Sequence, residues 1–152
     1  MLDVGLCGTS LGLSLHQLRS ISEISMINSG GMAEQLVGQL LRTLTPAYVP
    51  PSLYYWQRGK KGAEAEVDYV IQHEDQIIPV EVKAGTTGTL KSLHQFVKEK
   101  KKTVAIRVNS DVPRRSEVDV KDPLGPPTVY NLLSIPFYLL GQLHRLIKSS
   151  EV

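Results

Sequence analysis

Asp68, Glu81 and Lys83 are ionisable side chains set inside two otherwise apolar runs, EVDYVI at 66–71 and IIPVEVK at 77–83. The apolar residues alone align the two runs, because a one-residue slip would send one strand's hydrophobic set to the wrong face. A turn centred on Glu74 and Asp75 sets Val67 opposite Val82, Tyr69 opposite Val80 and Ile71 opposite Ile78. The same register places Asp68 opposite Glu81 and Glu66 opposite Lys83, with directly opposed Cβ atoms about 5 Å apart. Two carboxylates that close repel each other unless one takes a proton or a cation lies between them. Lys83 can be that cation, in an ordinary cross-strand ion-pair cluster. The sharper alternative is a Mg2+ or Mn2+ site, since Mg2+ prefers oxygen ligands and commonly takes one or two carboxylates, keeping water and phosphate oxygens for the rest of its shell. Acidic ligands with a lysine beside them suit phosphodiester hydrolysis: the ion lowers the pKa of a bound water, and the ammonium orients the nucleophile or stabilises the transition state.

The elements that must hold these residues are read from periodicity. Ala33, Leu36, Val37, Leu40, Leu41 and Leu44 recur at spacings of three and four between the Gly30–Gly31 pair and Pro46, which predicts an amphipathic helix from Met32. LYYWQR at 53–58 predicts a strand, with Tyr54, Tyr55 and Trp56 expected in its core rather than as platforms for stacked bases. The two charged runs supply two more strands. Residues 89–101 carry Leu90, Leu93, Phe96 and Val97 on one helical face, and TVAIRV at 103–108 is a β-branched strand. Residues 109–128 predict a long loop, TVYNL a possible further strand, and 133–147 a terminal helix interrupted near Pro136. Residues 1–30 show no sustained period and are expected to form a loosely organised lead-in to a single domain over 31–152.

Composition narrows the function classes. With 152 residues, 41% hydrophobic and 21% charged, the chain is long enough and apolar enough to bury one core, so disorder is not expected. Its single cysteine, Cys7, cannot form an internal disulfide and is expected as a buried small side chain, in keeping with a reducing cytoplasm. The longest apolar segment, LLSIPFYLLGQL, covers only 132–143, short of the ~20 residues a membrane span needs, and no secretion signal is expected. The net charge of +2 does not by itself predict a nucleic-acid partner, but basic residues are grouped as RGKK at 58–61, KEKKK at 98–102 and RR at 114–115. His16, His73, His94 and His144 have no ligand spacing, so zinc is not expected, and His73 beside the turn is expected to face solvent.

VD at 67–68 followed by EVK at 81–83, within the order helix, three strands, helix, strand, resembles the PD-(D/E)XK nuclease superfamily with its restriction-endonuclease-like fold. The resemblance implies an α/β fold with a mixed central sheet flanked by helices. Val67 stands where the superfamily's name has a proline. A further glutamate often comes from the helix before the sheet, where this chain has Glu34; an acid near a helix start also favours the helix dipole. More narrowly, YYWQRGKKGAEAEVDYVI with IIPVEVKAG resembles the uncharacterised domain that follows the ATPase module in many bacterial and archaeal AAA-family proteins, and LDVGLCGTSLGL and IPFYLLGQL resemble its flanks. No G-x-x-x-x-G-K-[ST] occurs, so no P-loop ATP site is expected in this chain.

Together these readings lead to the expectation of a Mg2+- or Mn2+-dependent nuclease-like domain acting on DNA. Asp68 and Glu81 would be metal ligands, Lys83 the water-positioning or transition-state residue and Glu34 an accessory ligand. Glu66 would keep Lys83 charged and pointed, and Gln95 is a polar accessory candidate on the following helix. Arg58, Lys60, Lys61, Lys100 and Lys101 would meet phosphates. The competing expectation is a non-catalytic module that keeps the scaffold and docks an ATPase module or a second copy of itself.

Overall fold

The computed structural model describes residues 3–10, 12, 29–59, 64–86, 88–121 and 127–148. Helix α1 (Val4–Ser10) lies inside the stretch expected as an irregular lead-in. Its start is explained by Asp3, whose Oδ1 accepts the amides of Gly5 (2.8 Å) and Leu6 (3.2 Å), as a capping carboxylate does. Cys7, expected to be buried, is a free, half-buried thiol there. Helix α2 (Ser29–Thr43) buries Ala33, Val37 and Leu41, the stripe that its spacing predicts. Because it begins at Ser29, Glu34 falls beyond its first turn, which weakens the dipole explanation for an acid there.

Strands β1 (Tyr54–Gln57), β2 (Glu66–His73) and β3 (Gln76–Val82) form an antiparallel meander. Helix α3 (Lys91–Lys100) then crosses to β4 (Val104–Asn109), which lies parallel to β3. Helix, three strands, helix and strand thus follow in the expected order. Two further strands continue the sheet, β5 (Arg114–Val120) and β6 (Thr128–Pro136), giving one mixed six-stranded sheet in the order β1-β2-β3-β4-β6-β5.

The last two strands correct the expectation of a long loop and a helix from residue 133. β5 is an edge strand paired only with β6, and its exposed face carries Arg115, Glu117 and Asp119, so its alternation reads as polar loop. β6 is buried on both faces, with Tyr130 and Leu132 on one side and Leu133 and Ile135 on the other. A strand covered on both sides has a continuous apolar run that periodicity alone does not separate from helix. Helical structure begins only after Pro136, as a 3-10 turn (Phe137–Gln142) leading into α4 (Leu143–Lys148).

Two hydrophobic clusters sandwich the sheet. Ile78, Val80, Val82, Ile106 and Val108 pack against α2, the 3-10 turn and α4, whereas Val67, Ala105, Tyr130 and Leu132 pack against Leu93, Phe96 and Val97 of α3. Trp56 meets Phe96 edge to face, with ring centroids 5.3 Å apart. It is half-buried, but Tyr54 and Tyr55 are 64% and 65% exposed, contrary to the expectation of a strand core. An edge strand covered on neither side of its free rim leaves them outside.

The hairpin turns where expected, at Glu74 and Asp75, and Tyr69↔Val80 and Ile71↔Ile78 pair in the expected register. Beyond Tyr69 the expectation fails. Tyr54 pairs with Val70 but Trp56 with Val67, so two steps along β1 match three along β2. The extra residue is a β-bulge at Asp68–Tyr69, and it reverses the facing of everything before it. Val67 therefore lies in the α3 cluster and Val82 in the other, so they are not a pair. Phe96 is 3% exposed and touches both Trp56 and the α3 cluster. Phe96→Ala is expected to lower unfolding stability by about 3–5 kcal/mol in urea titrations with little change in slope; a loss under about 1 kcal/mol would show that α3 is not anchored there.

Candidate functional site

The bulge re-aims Asp68. Instead of continuing the ladder, its Oδ2 accepts the backbone N–H of Val82 at 2.7 Å, so a side-chain carboxylate takes the place of a strand carbonyl next to Glu81. Glu81 is only 5% exposed. Its Oε1 receives Lys83 Nζ at 2.6 Å, while Oε2 is buried without a hydrogen-bond partner among the described residues. The expected pairing of Glu66 with Lys83 does not form: Glu66 is exposed and pairs along the backbone with Gln57, its N–H reaching Ser92 Oγ at 3.3 Å. The bulge has turned Glu66 away from β3, and the lysine goes to the buried acid.

Lys83 is held from two sides. Its amide donates to the Val108 carbonyl at 2.8 Å, continuing the β3–β4 pairing by one residue. Gly88, at φ 146°, lies against its methylenes, and a Cβ there would be 2.7 Å from Lys83 Cδ. Only glycine combines that backbone with that approach. Arg107, the ladder neighbour of Glu81, ties the loop after β3 by donating from Nη2 to the Thr86 carbonyl at 2.7 Å, and its Nε is buried without a partner among the described residues. It was missed in the sequence, although an arginine inside the β-branched run TVAIRV was a signal of the same kind as Glu81.

Glu34 approaches from α2, whose Glu34 carbonyl accepts Tyr69 Oη at 2.8 Å. With Glu66 and Asp68 it lines a cavity of about 240 Å³ that is walled by Leu53, Tyr54 and Tyr55. The acids feel one another. Burial raises the pKa of Asp68, against the Val82 amide and Lys83; burial raises that of Glu81, against its Lys83 hydrogen bond, with Asp68 adding to the rise; burial raises that of Glu34, with Asp68 next. Among the described residues no three His, Cys, Asp or Glu side chains come close enough to cage an ion. The residues that could offer oxygens to an ion are Asp68 and Glu81, which interact electrostatically, and Glu34, which interacts with both. Hard carboxylate oxygens, one of them buried and unsatisfied, fit a Mg2+ or Mn2+ ion that keeps most of its own water.

The other candidates lie elsewhere. Gln95 donates to Glu99 Oε1 at 2.8 Å and lines a cavity of about 310 Å³ with Lys91, His94 and Lys98, so it does not join the acids. Arg58 is taken up by the same Glu99 at 2.8 Å. Lys101 adopts the left-handed conformation that ends α3, with its N–H on the Lys98 carbonyl. Lys100 lines a separate groove beside β1, and Lys60 and Lys61 lie outside the described residues. His73 is 7% exposed rather than solvent-facing, its Nδ1 2.8 Å from His144 Nδ1 with the rings stacked, which ties the hairpin tip to α4.

Raised carboxylate pKa values mean that the folded protein binds these protons more tightly than the unfolded chain. The stability they contribute is present below the unfolded values, near 3.8 for Asp and 4.5 for Glu, and is lost as pH rises through the folded ones. Asp68→Asn keeps an acceptor for Val82 N–H and removes a charge. In chelator, the variant is expected to melt above wild type at pH 7, with the advantage shrinking toward about pH 4; a variant that melts below wild type throughout would contradict this electrostatic picture.

Comparison with curated proteins finds no match to the chain. The family model described as "Domain of unknown function (DUF4143)" matches residues 29–121, which takes in α2 through β5 and with them Glu34, Asp68, Glu81, Lys83 and Gly88. The chain belongs to the DUF4143 family.

Proposed function

We propose that this domain is a metal-dependent nuclease-like hydrolase of DNA phosphodiesters, built on a restriction-endonuclease-like core. The observation that carries the reading is the buried Glu81, with Lys83 on one oxygen and nothing on the other, beside the re-aimed Asp68. A module used only for docking gains nothing from such an arrangement, because an unsatisfied buried carboxylate oxygen costs stability.

Asp68 and Glu81 would hold Mg2+ or Mn2+, with Glu34 as an accessory ligand, and the ion would lower the pKa of a bound water and neutralise phosphate charge. The chain's own part is positional. Glu81 fixes the Lys83 ammonium at 2.6 Å, Gly88 keeps its stem in place, and the ammonium then meets the charge that develops on a phosphoryl oxygen. Glu66, exposed at the rim of the acidic cavity, adds negative potential rather than a contact to Lys83. The lone cysteine suits a reducing cytoplasm. The likeness to domains that follow AAA-type ATPase modules adds an ATPase module, or a second copy of the chain, as the proposed protein partner.

Lys83→Ala is expected to reduce Mg2+- or Mn2+-dependent cleavage of DNA by about 10²–10³-fold, while millimolar metal still raises the melting temperature because both acids remain. Equal cleavage by wild type and variant would remove Lys83 from the mechanism, and the absence of any metal-induced stabilisation of wild type would remove the ion.

A further inference from the structure

Beside the acidic cavity runs a groove of about 440 Å³ formed by β1, the end of α3 and the residues after it. Its lining includes Tyr54, Tyr55, Trp56 and Phe96 together with Lys100 and Lys102, and no acid takes part. Trp56 and Phe96 brace each other edge to face and form the floor. Tyr54 and Tyr55 stand on the sheet's free edge and are nearly two-thirds exposed. Neither Lys100 nor Lys102 has an ion-pair partner among the described residues. Flat exposed rings next to unpaired cations are the two parts of a site that stacks bases and neutralises phosphates.

Position decides what the groove is for. Tyr54 and Tyr55 line both the groove and the cavity of Glu34, Glu66 and Asp68, so the two hollows share a wall. Tyr54 pairs with Val70 and shares the α3 side of the sheet with Trp56, whereas Tyr55 shares the opposite side with Leu53, so a strand lying on Tyr54 would pass over the free edge and Tyr55 to reach the acids. A duplex hides its base faces in its own stack, so exposed rings can engage only unpaired bases.

We propose that the groove between β1 and the end of α3 binds single-stranded DNA, stacking bases on Tyr54 and Tyr55 and holding phosphates on Lys100 and Lys102, and delivers the strand to the acidic cavity. The proposal names the substrate class of the hydrolytic site and so rests on that reading for its purpose, but the binding itself can be measured without cleavage.

The test is fluorescence anisotropy in chelator, with the full chain and a labelled oligothymidylate of about 12 nucleotides, a length within the usual single-strand site size, alongside a duplex of equal length. Wild type is expected to prefer the single strand. Tyr54→Ala and Tyr55→Ala should each weaken binding about 5- to 100-fold. Lys100→Glu with Lys102→Glu should flatten the log–log salt dependence by about 1.4, two phosphates' worth. Tyr54, Tyr55 and Lys100 are exposed and Lys102 is half-buried, and unchanged melting will show that the fold is kept. Equal affinity for duplex, or tyrosine variants that bind like wild type, would overturn the proposal. So would tyrosine variants that only convert a dimer to monomers in sedimentation, since the edge would then serve a second copy of the chain. Cleavage assays separate the two readings: wild type that binds as described but never cleaves with metal sinks the hydrolase and leaves the groove, whereas Lys83-dependent cleavage without tyrosine-dependent binding does the reverse.

Discussion

A carboxylate taken out of water with one oxygen unpartnered is the constraint around which this fold is arranged. Glu81 lies on β3, which joins the antiparallel meander to the parallel β4, and is 5% exposed, with Asp68 adding negative charge and Lys83 opposing it. Burying a charge is costly unless it is paired, and removing one member of a buried pair costs more still. Lys83 answers one oxygen of Glu81, and burial, with neighbouring acids adding to it, raises the pKa of Glu34, Asp68 and Glu81. In the proposed reading a divalent ion would supply positive charge there.

The rest of the molecule supplies rigidity for that arrangement. Two cores clamp the sheet from opposite faces, so β3 and β4 cannot shift to relieve the charge. The loop after β3 is fixed by the Lys83 amide on Val108, by Arg107 on Thr86 and by the Ser110 hydroxyl on Ala84. The bulge in β2 bends one carboxylate into the ladder, and β1, as the sheet's edge strand, leaves Tyr54 and Tyr55 exposed.

Much of this was legible in the sequence where a period or a turn carried it. The stripe of α2, the apolar face of α3 and the Glu74–Asp75 turn all stand where spacing put them, because each is decided by local burial. The bulge was not legible, since Val67 and Tyr69 are both apolar and nothing in their order says that they face different cores. β5 was hidden by its charges and β6 by burial on both faces. The His73–His144 pair joins residues far apart in the chain, and only the folded hairpin brings them together. Of the site residues, Asp68, Glu81 and Lys83 announced themselves as charges within apolar runs, whereas Gly88 could be recognised only once its φ and its closeness to Lys83 were known.

The most direct measurement is anomalous diffraction from a crystal of this protein soaked in Mn2+. The account predicts one peak within bonding distance of both Asp68 and Glu81, about 2.0–2.2 Å from the carboxylate oxygens, with Lys83 alongside and not displaced. A peak elsewhere, or none at millimolar manganese with Asp68 still bound to the Val82 amide, would contradict it.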